Sequence, residues 1–299
     1  MDLTTDPARA HAPDHRPSGP GPVDVTAYLA RLGRTGPRTP DASTLRALHR
    51  AQLASVPYEN LDIQLGRTEP LSSAGVLAKI TAPGRGGYCY ELNGAFALLL
   101  EALGFQVARV IAAVGRKDDP APVWGNHLAL LVRAGGTTWI ADTGLGDGFT
   151  DPLPLRPGRH TQGPFTYEVE RLADGEWWVG HHEWGAVPGY RMRTEPLPLS
   201  AFAPHHLRQS TSPESSFVQT LIVQRPLPDR TLTLRGTALT TDGPGGKHRL
   251  LLPDQAAFET ALSTRFGIPT ASLDTARLYT RARTQTEAWL ARRAPASSG

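Results

Sequence analysis

The single cysteine of the chain lies where a glycine-rich turn meets an apolar helix. Residues 84–94 read Gly-Arg-Gly-Gly-Tyr-Cys-Tyr-Glu-Leu-Asn-Gly, and Cys89 is the only cysteine among 299 residues. Apolar residues then recur at helical spacing, and Gly104 predicts the helix end; they are Leu92, Phe96, Leu99, Leu100 and Leu103. Cys89 therefore falls in the first turn, where unpaired N–H groups and the helix dipole favour an anion. Because thiolate is the reactive form of cysteine, the stretch predicts a nucleophile, with a small buried apolar side chain as the alternative.

A hairpin further along the chain favours the nucleophile. His127 begins an apolar strand, residues 133–136 form a turn, and residues 137–142 return. A turn centred between positions 134 and 135 places His127 directly opposite Asp142; a register shift of two keeps both on one face, whereas a shift of one separates them. Such a pair is also common as a satisfied structural contact. Together with Cys89 it supplies a nucleophile, a base and an orienting acid. Asp147, in a loop beyond two glycines, is the weaker candidate acid.

The periodicity of the chain changes at Gly104 and predicts an α+β protein of three domains. Residues 1–22 are rich in proline and predict a disordered tail. Residues 23–104 predict a helical bundle that carries Cys89, with helices over 23–29, 43–53 (capped by Ser43) and 74–80. Residues 105–215 predict an antiparallel β-barrel that carries His127 and Asp142. Residues 216–299 predict an α/β lid, with strands at 216–223 and 231–235 and helices at 258–266 and 273–290.

Composition narrows the classes of function. The formal charge is +3 and no Lys/Arg run occurs, so we expect no nucleic-acid partner. The longest apolar stretch, 95–105, is too short to cross a bilayer, and residues 1–22 lack a signal-peptide core, so we expect no membrane partner and a cytoplasmic location. We expect no metal, since the adjacent pairs His181-His182 and His205-His206 point to opposite faces of a strand and are predicted on the surface.

At these residues the chain resembles the arylamine N-acetyltransferases. Their Arg-Gly-Gly-x-Cys-x-Glu-x-Asn signature is matched over residues 85–93, their histidine precedes an apolar strand as His127 does, and their aspartate opens an Asp-x-Gly-x-Gly turn, here 142–146. Further matching stretches are 57–61, 212–217 and 232–236. The resemblance spans most of the chain and implies a cysteine-protease-like core, in which a helical domain and a β-barrel meet at the triad beneath a lid.

The resemblance also implies an activity. We expect acetyl transfer from acetyl-CoA, a co-substrate rather than a bound cofactor, to an arylamine or arylhydrazine by a ping-pong mechanism through acetyl-Cys89. Glu59 and Arg85 are expected to form a buried structural ion pair. Leu145, smaller than the usual Phe, is expected to widen the acceptor pocket, and Gly146 and Ala129 are further candidates for substrate contact. Arg116 and Lys117, in the polar loop 115–125, are candidates for the coenzyme phosphates.

Three alternatives keep the same residues. An amide synthase of this fold would release a polyketide chain from a carrier protein by intramolecular arylamine attack, forming a macrolactam. A thiol hydrolase would use the same Cys, His, Asp order, and a binding protein would not use it at all. A homodimer is left open.

Overall fold

The computed structural model describes residues 23–36 and 38–293. The tail predicted over 1–22 lies outside the described residues. Within them no helix combines the length and the apolar character needed to cross a bilayer.

The first part of the chain is helical, as predicted. Its elements are α1 (Val25–Arg31), α2 (Ala42–Ser55), β1 (Tyr58–Glu59), α3 (Leu61–Leu65), α4 (Ser73–Thr81) and α5 (Cys89–Ala102). The cap predicted for α2 was wrong: Asp41 accepts the backbone N–H of Thr44 at 2.7 Å, and the Ser43 hydroxyl itself donates to Asp41. A carboxylate one residue earlier thus takes the role assigned to the hydroxyl.

Helix α5 is the centre of this part. It is apolar on nearly every face, and its residues from 92 to 100 are all buried. It packs against α1 and α4 on one side and against two barrel strands on the other. The helix that begins at Cys89 therefore fixes the bundle and the barrel relative to each other.

An antiparallel barrel follows. Its strands are β2 (Gln106–Val114), β3 (His127–Ala134), β4 (Thr137–Ile140), β5 (Leu153–Pro154), β6 (Gly158–Gln162), β7 (Phe165–Arg171), β8 (Trp177–Gly180) and β9 (Gly189–Met192). The order in the sheet is β5-β4-β3-β2-β9-β8-β7-β6. Gln162, on the last strand, bonds both the N–H and the C=O of Asp151, just before β5. The two ends of the sheet thereby meet, and the barrel is nearly closed.

The β3–β4 hairpin has a register two residues from the one predicted. Ala134 pairs with Thr137, so Gly135 and Gly136 form the turn, both with positive φ. Two consecutive left-handed residues suit a two-residue hairpin turn, which explains why both are glycine. Ladder pairing ends at Ile140, and a shift of two leaves His127 and Asp142 as diagonal neighbours on one face.

The last part is α/β. After a 3₁₀ helix (Leu199–Phe202) come α6 (Ala203–Thr211), α7 (Ser216–Gln219), β10 (Ile222–Pro226), β11 (Thr231–Arg235), β12 (Ala238–Asp242), β13 (His248–Leu251), α8 (Gln255–Phe266) and α9 (Thr275–Arg293). The strand predicted at 216–223 was wrong at its start, because the Ser215 side chain accepts the N–H of Phe217 and begins a helical turn. The sheet order is β1-β10-β11-β12-β13, so a strand of the helical part forms one edge of this sheet. The fold is α+β as predicted, while the boundaries at 104/105 and 215/216 stay predictions.

Candidate active site

Cys89 is the first residue of α5, with Tyr88 as the N-cap. The side chain of Glu91 reaches back to the N–H of Tyr88 at 3.2 Å and satisfies one of the free donors at the helix start. Cys89 is a free cysteine with 2% of its surface exposed. The predicted position in the first helical turn is the observed one.

Two glycines before Cys89 allow strand β1 and helix α5 to approach the turn closely. A Cβ on Gly86 would lie 1.8 Å from the carbonyl oxygen of Pro57, and one on Gly87 would lie 2.5 Å from a carboxylate oxygen of Glu91. The N–H of Glu59 also bonds the carbonyl of Gly87. Side chains at either position would push the cysteine turn away from β1.

A network of ion pairs holds the same turn. Arg85 bonds Glu59 at 2.9 Å and Asp62 at 2.8 Å, and Lys79 bridges Asp62 and Glu91 at 2.9 and 2.8 Å. Burial alone would lower the pKa of Arg85, but the charges of Glu59 and Asp62 outweigh it and raise that pKa above its ordinary value. Glu59 is fully buried and also accepts the N–H groups of residues 61 and 86. The network ties α3 and α4 to the helix start that carries Cys89.

His127 and Asp142 are in direct contact. Nε2 of His127 donates to Oδ2 of Asp142 at 2.6 Å, and the two residues are 2% and 1% exposed. The other carboxylate oxygen accepts Nδ2 of Asn93 at 2.7 Å and the N–H of Gly144 at 2.9 Å. Both oxygens are therefore bonded, which fixes the carboxylate and, through it, the imidazole.

The electrostatics favour a charged pair. Burial alone would lower the pKa of His127, but the charge and hydrogen bond of Asp142, with a smaller contribution from a hydrogen bond to Cys89, raise it to about 10. Burial alone would raise the pKa of Asp142, yet the His127 charge leads a set of contacts that lower it. Because Nε2 is bonded to Asp142, Nδ1 is the nitrogen left to face the sulfur. The arrangement can hold an imidazolium beside the Cys89 sulfur at neutral pH.

Asn93 has a role that the sequence interpretation missed. Besides Asp142, it bonds the carbonyl of Leu128 and the N–H of Thr143, so it joins α5 to the hairpin on both sides of the turn. Its position four residues after Cys89 places both on one helix face, and this spacing was the available signal. His49 also bonds the carbonyl of Asp142 at 3.2 Å, and no local pattern pointed to it.

The turn 142–146 runs from the nucleophile towards the last sheet. A Cβ on Gly144 would lie 2.8 Å from Cα of Cys89, and one on Gly146 would lie 2.5 Å from Oε1 of Gln224 and 2.7 Å from the ring of Tyr58. Leu145 is 8% exposed and Ala129 is fully buried in the barrel core.

The candidate coenzyme contacts lie on the surface of the barrel. Lys117 has carboxylate partners there, Glu170 and, at 4.0 Å, Glu168. The side chain of Arg116 is 79% exposed and lies 3.5 Å from Asp118. Neither residue lines the cavity between the barrel and the last sheet.

The histidine pairs were predicted on the surface, and this was wrong for His182 and His206, each 5% exposed. His206 bonds the hydroxyl of Tyr88. Both ring nitrogens of His181 and of His182 are buried without a partner within the described residues, and the two rings lie 4.4 Å apart. They follow the end of β8, so the rule that neighbouring strand residues point to opposite faces does not apply to them.

No group of three His, Cys, Asp or Glu side chains in the described ranges is arranged to hold a metal.

A cavity of about 920 Å³ lies between the barrel and the last sheet, and none of Cys89, His127 and Asp142 is among the residues that line it. Asp147, one residue after Gly146, forms part of its wall. Its carboxylate accepts the N–H of Ala186 at 2.6 Å, so it serves the barrel rather than His127. Asp147 is three positions after Gly144, so the Cα atoms of these two residues lie about 10 Å apart at most. The cavity is therefore close to the nucleophile.

Comparison with known proteins gives consistent matches. Residues 41–275 match the model of the N-acetyltransferase family. An arylamine N-acetyltransferase from Mycolicibacterium smegmatis is 34% identical over 257 residues, which cover 82% of this chain and 92% of that relative. The solved structure of Mycobacterium marinum arylamine N-acetyltransferase in complex with CoA matches with a TM-score of 0.79 at 30% identity, over 87% of this chain and 99% of that one. Proansamycin X synthase from Amycolatopsis mediterranei is 32% identical over 143 residues, covering 46% of this chain and 55% of that relative.

Proposed function

Because the chain belongs to the arylamine N-acetyltransferase family, we propose that Cys89, His127 and Asp142 perform its acyl transfer. The enzyme moves an acetyl group from its co-substrate, acetyl-CoA, to an arylamine. The observation that supports these roles best is the 2.6 Å contact between buried His127 and Asp142, next to a cysteine at a helix start.

In the first half-reaction the Cys89 thiolate attacks the thioester carbonyl of acetyl-CoA. The new S–C bond forms as the bond to the coenzyme sulfur breaks, and the imidazolium of His127 gives its proton to the departing thiolate. One thioester replaces another, so the step is close to isoenergetic. The N–H of Cys89, free of an intrahelical acceptor in the first turn, is our candidate for stabilising the oxyanion.

In the second half-reaction the amine attacks the acetyl-Cys89 carbonyl. Neutral His127 accepts a proton from the attacking nitrogen, the C–S bond breaks, and the thiolate–imidazolium pair is restored. Asp142 stays ionised throughout and holds the ring in the orientation that serves both halves. Conversion of a thioester into an amide makes this half downhill.

Both substrates are proposed to enter through the 920 Å³ cavity. Its outer edge carries basic side chains, Lys247 and Arg249 on or beside β13 and Arg292 on α9. Strands spaced by about 4.8 Å place β13 about 19 Å from β1. This span suits the long arm that separates the thioester of acetyl-CoA from its phosphates. The earlier prediction, that Arg116 and Lys117 bind the coenzyme phosphates, is an alternative to binding at Lys247, Arg249 and Arg292.

The test is a pair of variants. We expect Cys89→Ala to bind acetyl-CoA, to keep the circular-dichroism spectrum and melting temperature of the wild type, and to release no free CoA when an arylamine is added. The matched control is Ser263→Ala, a substitution on the exposed face of α8, which should leave turnover unchanged. Turnover retained by Cys89→Ala would refute the proposal.

The amide synthase remains the second candidate, favoured by the partial match to proansamycin X synthase. The two activities differ in their donor. An acetyltransferase releases CoA from acetyl-CoA in the presence of a simple arylamine, whereas an amide synthase requires a polyketide chain on a carrier protein. Release of CoA with a simple arylamine decides for the first.

We further propose that the protein acts in the cytoplasm, where reducing conditions keep its one free thiol available. No nucleic-acid or membrane partner is part of the proposal. A homodimer is the alternative to a monomer, and sedimentation distinguishes the two.

A further inference from the structure

One basic side chain on the sheet that lines the cavity has no hydrogen-bond or ion-pair partner among the described residues. Arg235, at the end of β11, lines the cavity wall and is exposed to the solvent inside it. Within residues 23–36 and 38–293 its guanidinium forms neither an ion pair nor a hydrogen bond. The other basic residues on the sheet face that lines the cavity differ, since Lys247 pairs with Asp242 at 2.6 Å and Arg249 lies over the ring of Trp289 at 5.0 Å.

The sheet places Arg235 close to the nucleophile. Tyr58, Gln224 and Thr233 are directly opposite one another on β1, β10 and β11, so their side chains share one face. Arg235 is two residues beyond Thr233 and points to the same face. Tyr58 contacts the turn that covers Cys89, as the position of Gly146 against its ring shows. Two strand spacings place β11 about 10 Å from β1.

The surroundings of Arg235 favour a negative ligand. Partial burial lowers the pKa of Arg235, although the Tyr58 hydroxyl and the charge of Asp147 act in the opposite direction. Asp147 is the acid whose charge acts on it, but the carboxylate of Asp147 accepts the N–H of Ala186 and makes no ion pair with Arg235. An unpaired, partly desolvated guanidinium is costly unless a ligand completes it, and a carboxylate fits its fork with two parallel hydrogen bonds.

We propose that Arg235 selects acceptors that carry a carboxylate on the aromatic ring, such as an aminobenzoate, by pairing with that carboxylate while the amine faces Cys89. The inference rests on the proposed acetyl transfer and names the class of acceptor. In this pose the benzene ring would lie between the sulfur and the guanidinium, with its amine at one end and its carboxylate at the other.

The geometry separates this ligand from the donor. The phosphates of acetyl-CoA lie a full pantetheine arm away from the thioester, which corresponds to the outer strand β13 rather than to β11. A carboxylate on the acyl group would lie only a few bonds from the Cys89 sulfur, on the near side of Tyr58. In a ping-pong cycle CoA leaves before the acceptor binds, so the inner part of the cavity is free for the aromatic acid.

The experiment compares 4-aminobenzoate with the uncharged 4-aminobenzamide, both with acetyl-CoA as donor, in the wild type and in Arg235→Gln. For 4-aminobenzoate we expect kcat/KM to fall about 10- to 100-fold, mainly through KM, because a charge-assisted bidentate contact is lost. For 4-aminobenzamide kcat/KM should stay within about twofold of the wild type, because its neutral amide gains little from the guanidinium charge. The ratio of variant to wild type cancels the different nucleophilicity of the two amines.

The controls distinguish pairing with the acceptor carboxylate from a general loss of activity and from pairing with the acyl group. Arg235→Lys should recover part of the loss, and Arg230→Gln, which removes an exposed arginine paired with Asp229 just before β11, should change neither substrate. An equal loss for both amines, or no loss for either, overturns the inference while acetyl transfer stands. A selective loss with succinyl-CoA and aniline in place of the aminobenzoate also overturns it, since the carboxylate would then belong to the acyl group. If the wild type acetylates neither amine, the proposed function itself fails.

Discussion

Two groups of buried histidines show opposite behaviour in this molecule. His127 bonds a carboxylate at 2.6 Å, and its pKa is raised to about 10. The ring nitrogens of His181 and His182, just after β8, make no hydrogen bond to any of the described residues. Burial lowers the pKa of both, with the charge of His181 adding to the effect on His182, whose pKa falls to about 4. Burial pushes all three imidazoles towards the neutral form, and only an adjacent anion reverses it. The chemistry therefore depends on the partner and not on the depth of the site.

The largest effect is expected from removing that partner. In Asp142→Asn the amide cannot stabilise the imidazolium, and kcat/KM for any arylamine should fall about 10³- to 10⁴-fold. Steady-state kinetics with acetyl-CoA measure it. Asp174→Asn, at a half-exposed carboxylate on the barrel surface, serves as the control and should be neutral. Activity within tenfold of the wild type would show that His127 acts without Asp142.

The next effect concerns the ion pairs that hold the turn before Cys89. Glu59→Gln removes a fully buried charge from Arg85, and the free energy of unfolding should fall by about 3 kcal/mol, the lower end for a broken buried pair because Asp62 still bonds Arg85. The comparison variant is Glu101→Gln, which breaks an exposed pair with Arg109 and should cost less than about 1 kcal/mol. Urea unfolding measures the free energy of unfolding of both variants. Equal losses of stability would contradict the structural role of the buried network.

A smaller effect is expected at Asn93, which bonds the second oxygen of Asp142. Asn93→Ala leaves the triad side chains in place but frees the carboxylate, so kcat should fall about 10- to 100-fold, as for other residues that orient a functional ligand. The pH profile of kcat/KM should shift with it, because the pKa of His127 depends on that carboxylate. A reduced rate with an unchanged profile would mean that Asn93 acts on the fold alone.

The smallest effect is expected at the unpartnered pair. His182 stacks on Phe165 at 4.2 Å between ring centroids, so His182→Phe keeps the shape and removes two unsatisfied nitrogens. We expect the free energy of unfolding to rise by about 1 kcal/mol, with unchanged kcat/KM. A destabilised variant would imply that the nitrogens of His182 have partners in solution.

The same two sites predict opposite dependence of stability on pH. The folded pKa of His182 is lower than its unfolded value of 6.5, so its contribution is complete above pH 6.5 and is lost as the pH falls towards 4. The folded pKa of His127 is higher, so its contribution is complete below pH 6.5 and is lost as the pH rises through about 10. His182→Phe should therefore flatten the acid side of the stability curve and leave the alkaline side unchanged.

The sequence predicts the local features of this molecule better than its long-range contacts. Helical spacing and Gly104 locate α5, and the alternation with a Gly-Gly turn locates the hairpin, although its register depends on which two residues form the turn. The strand predicted at 216–223 shows the limit of such local patterns. Its first residues form a helical turn instead, because the hydroxyl of Ser215 accepts the N–H of Phe217.

Contacts distant in sequence follow no such pattern. Asn93 could be found from its spacing to Cys89, but the bond from His49 to the carbonyl of Asp142 joins residues 93 positions apart. The partner of Arg85 was expected from the family resemblance alone, and the position of Arg235 relative to Tyr58 depends on the pairing of β1 with β10. Cavities and unpaired charged side chains arise when distant strands assemble into a sheet, so they cannot be predicted from a local stretch of sequence.

The acetyl-enzyme is the most direct test of the mechanism. The wild type is mixed with acetyl-CoA without an acceptor, digested, and analysed by mass spectrometry. We predict that the peptide containing Cys89 gains the mass of one acetyl group with release of one CoA, and that adding an arylamine removes the label and yields the N-acetyl product. A Cys89 peptide that stays unmodified while product forms would contradict transfer through this sulfur.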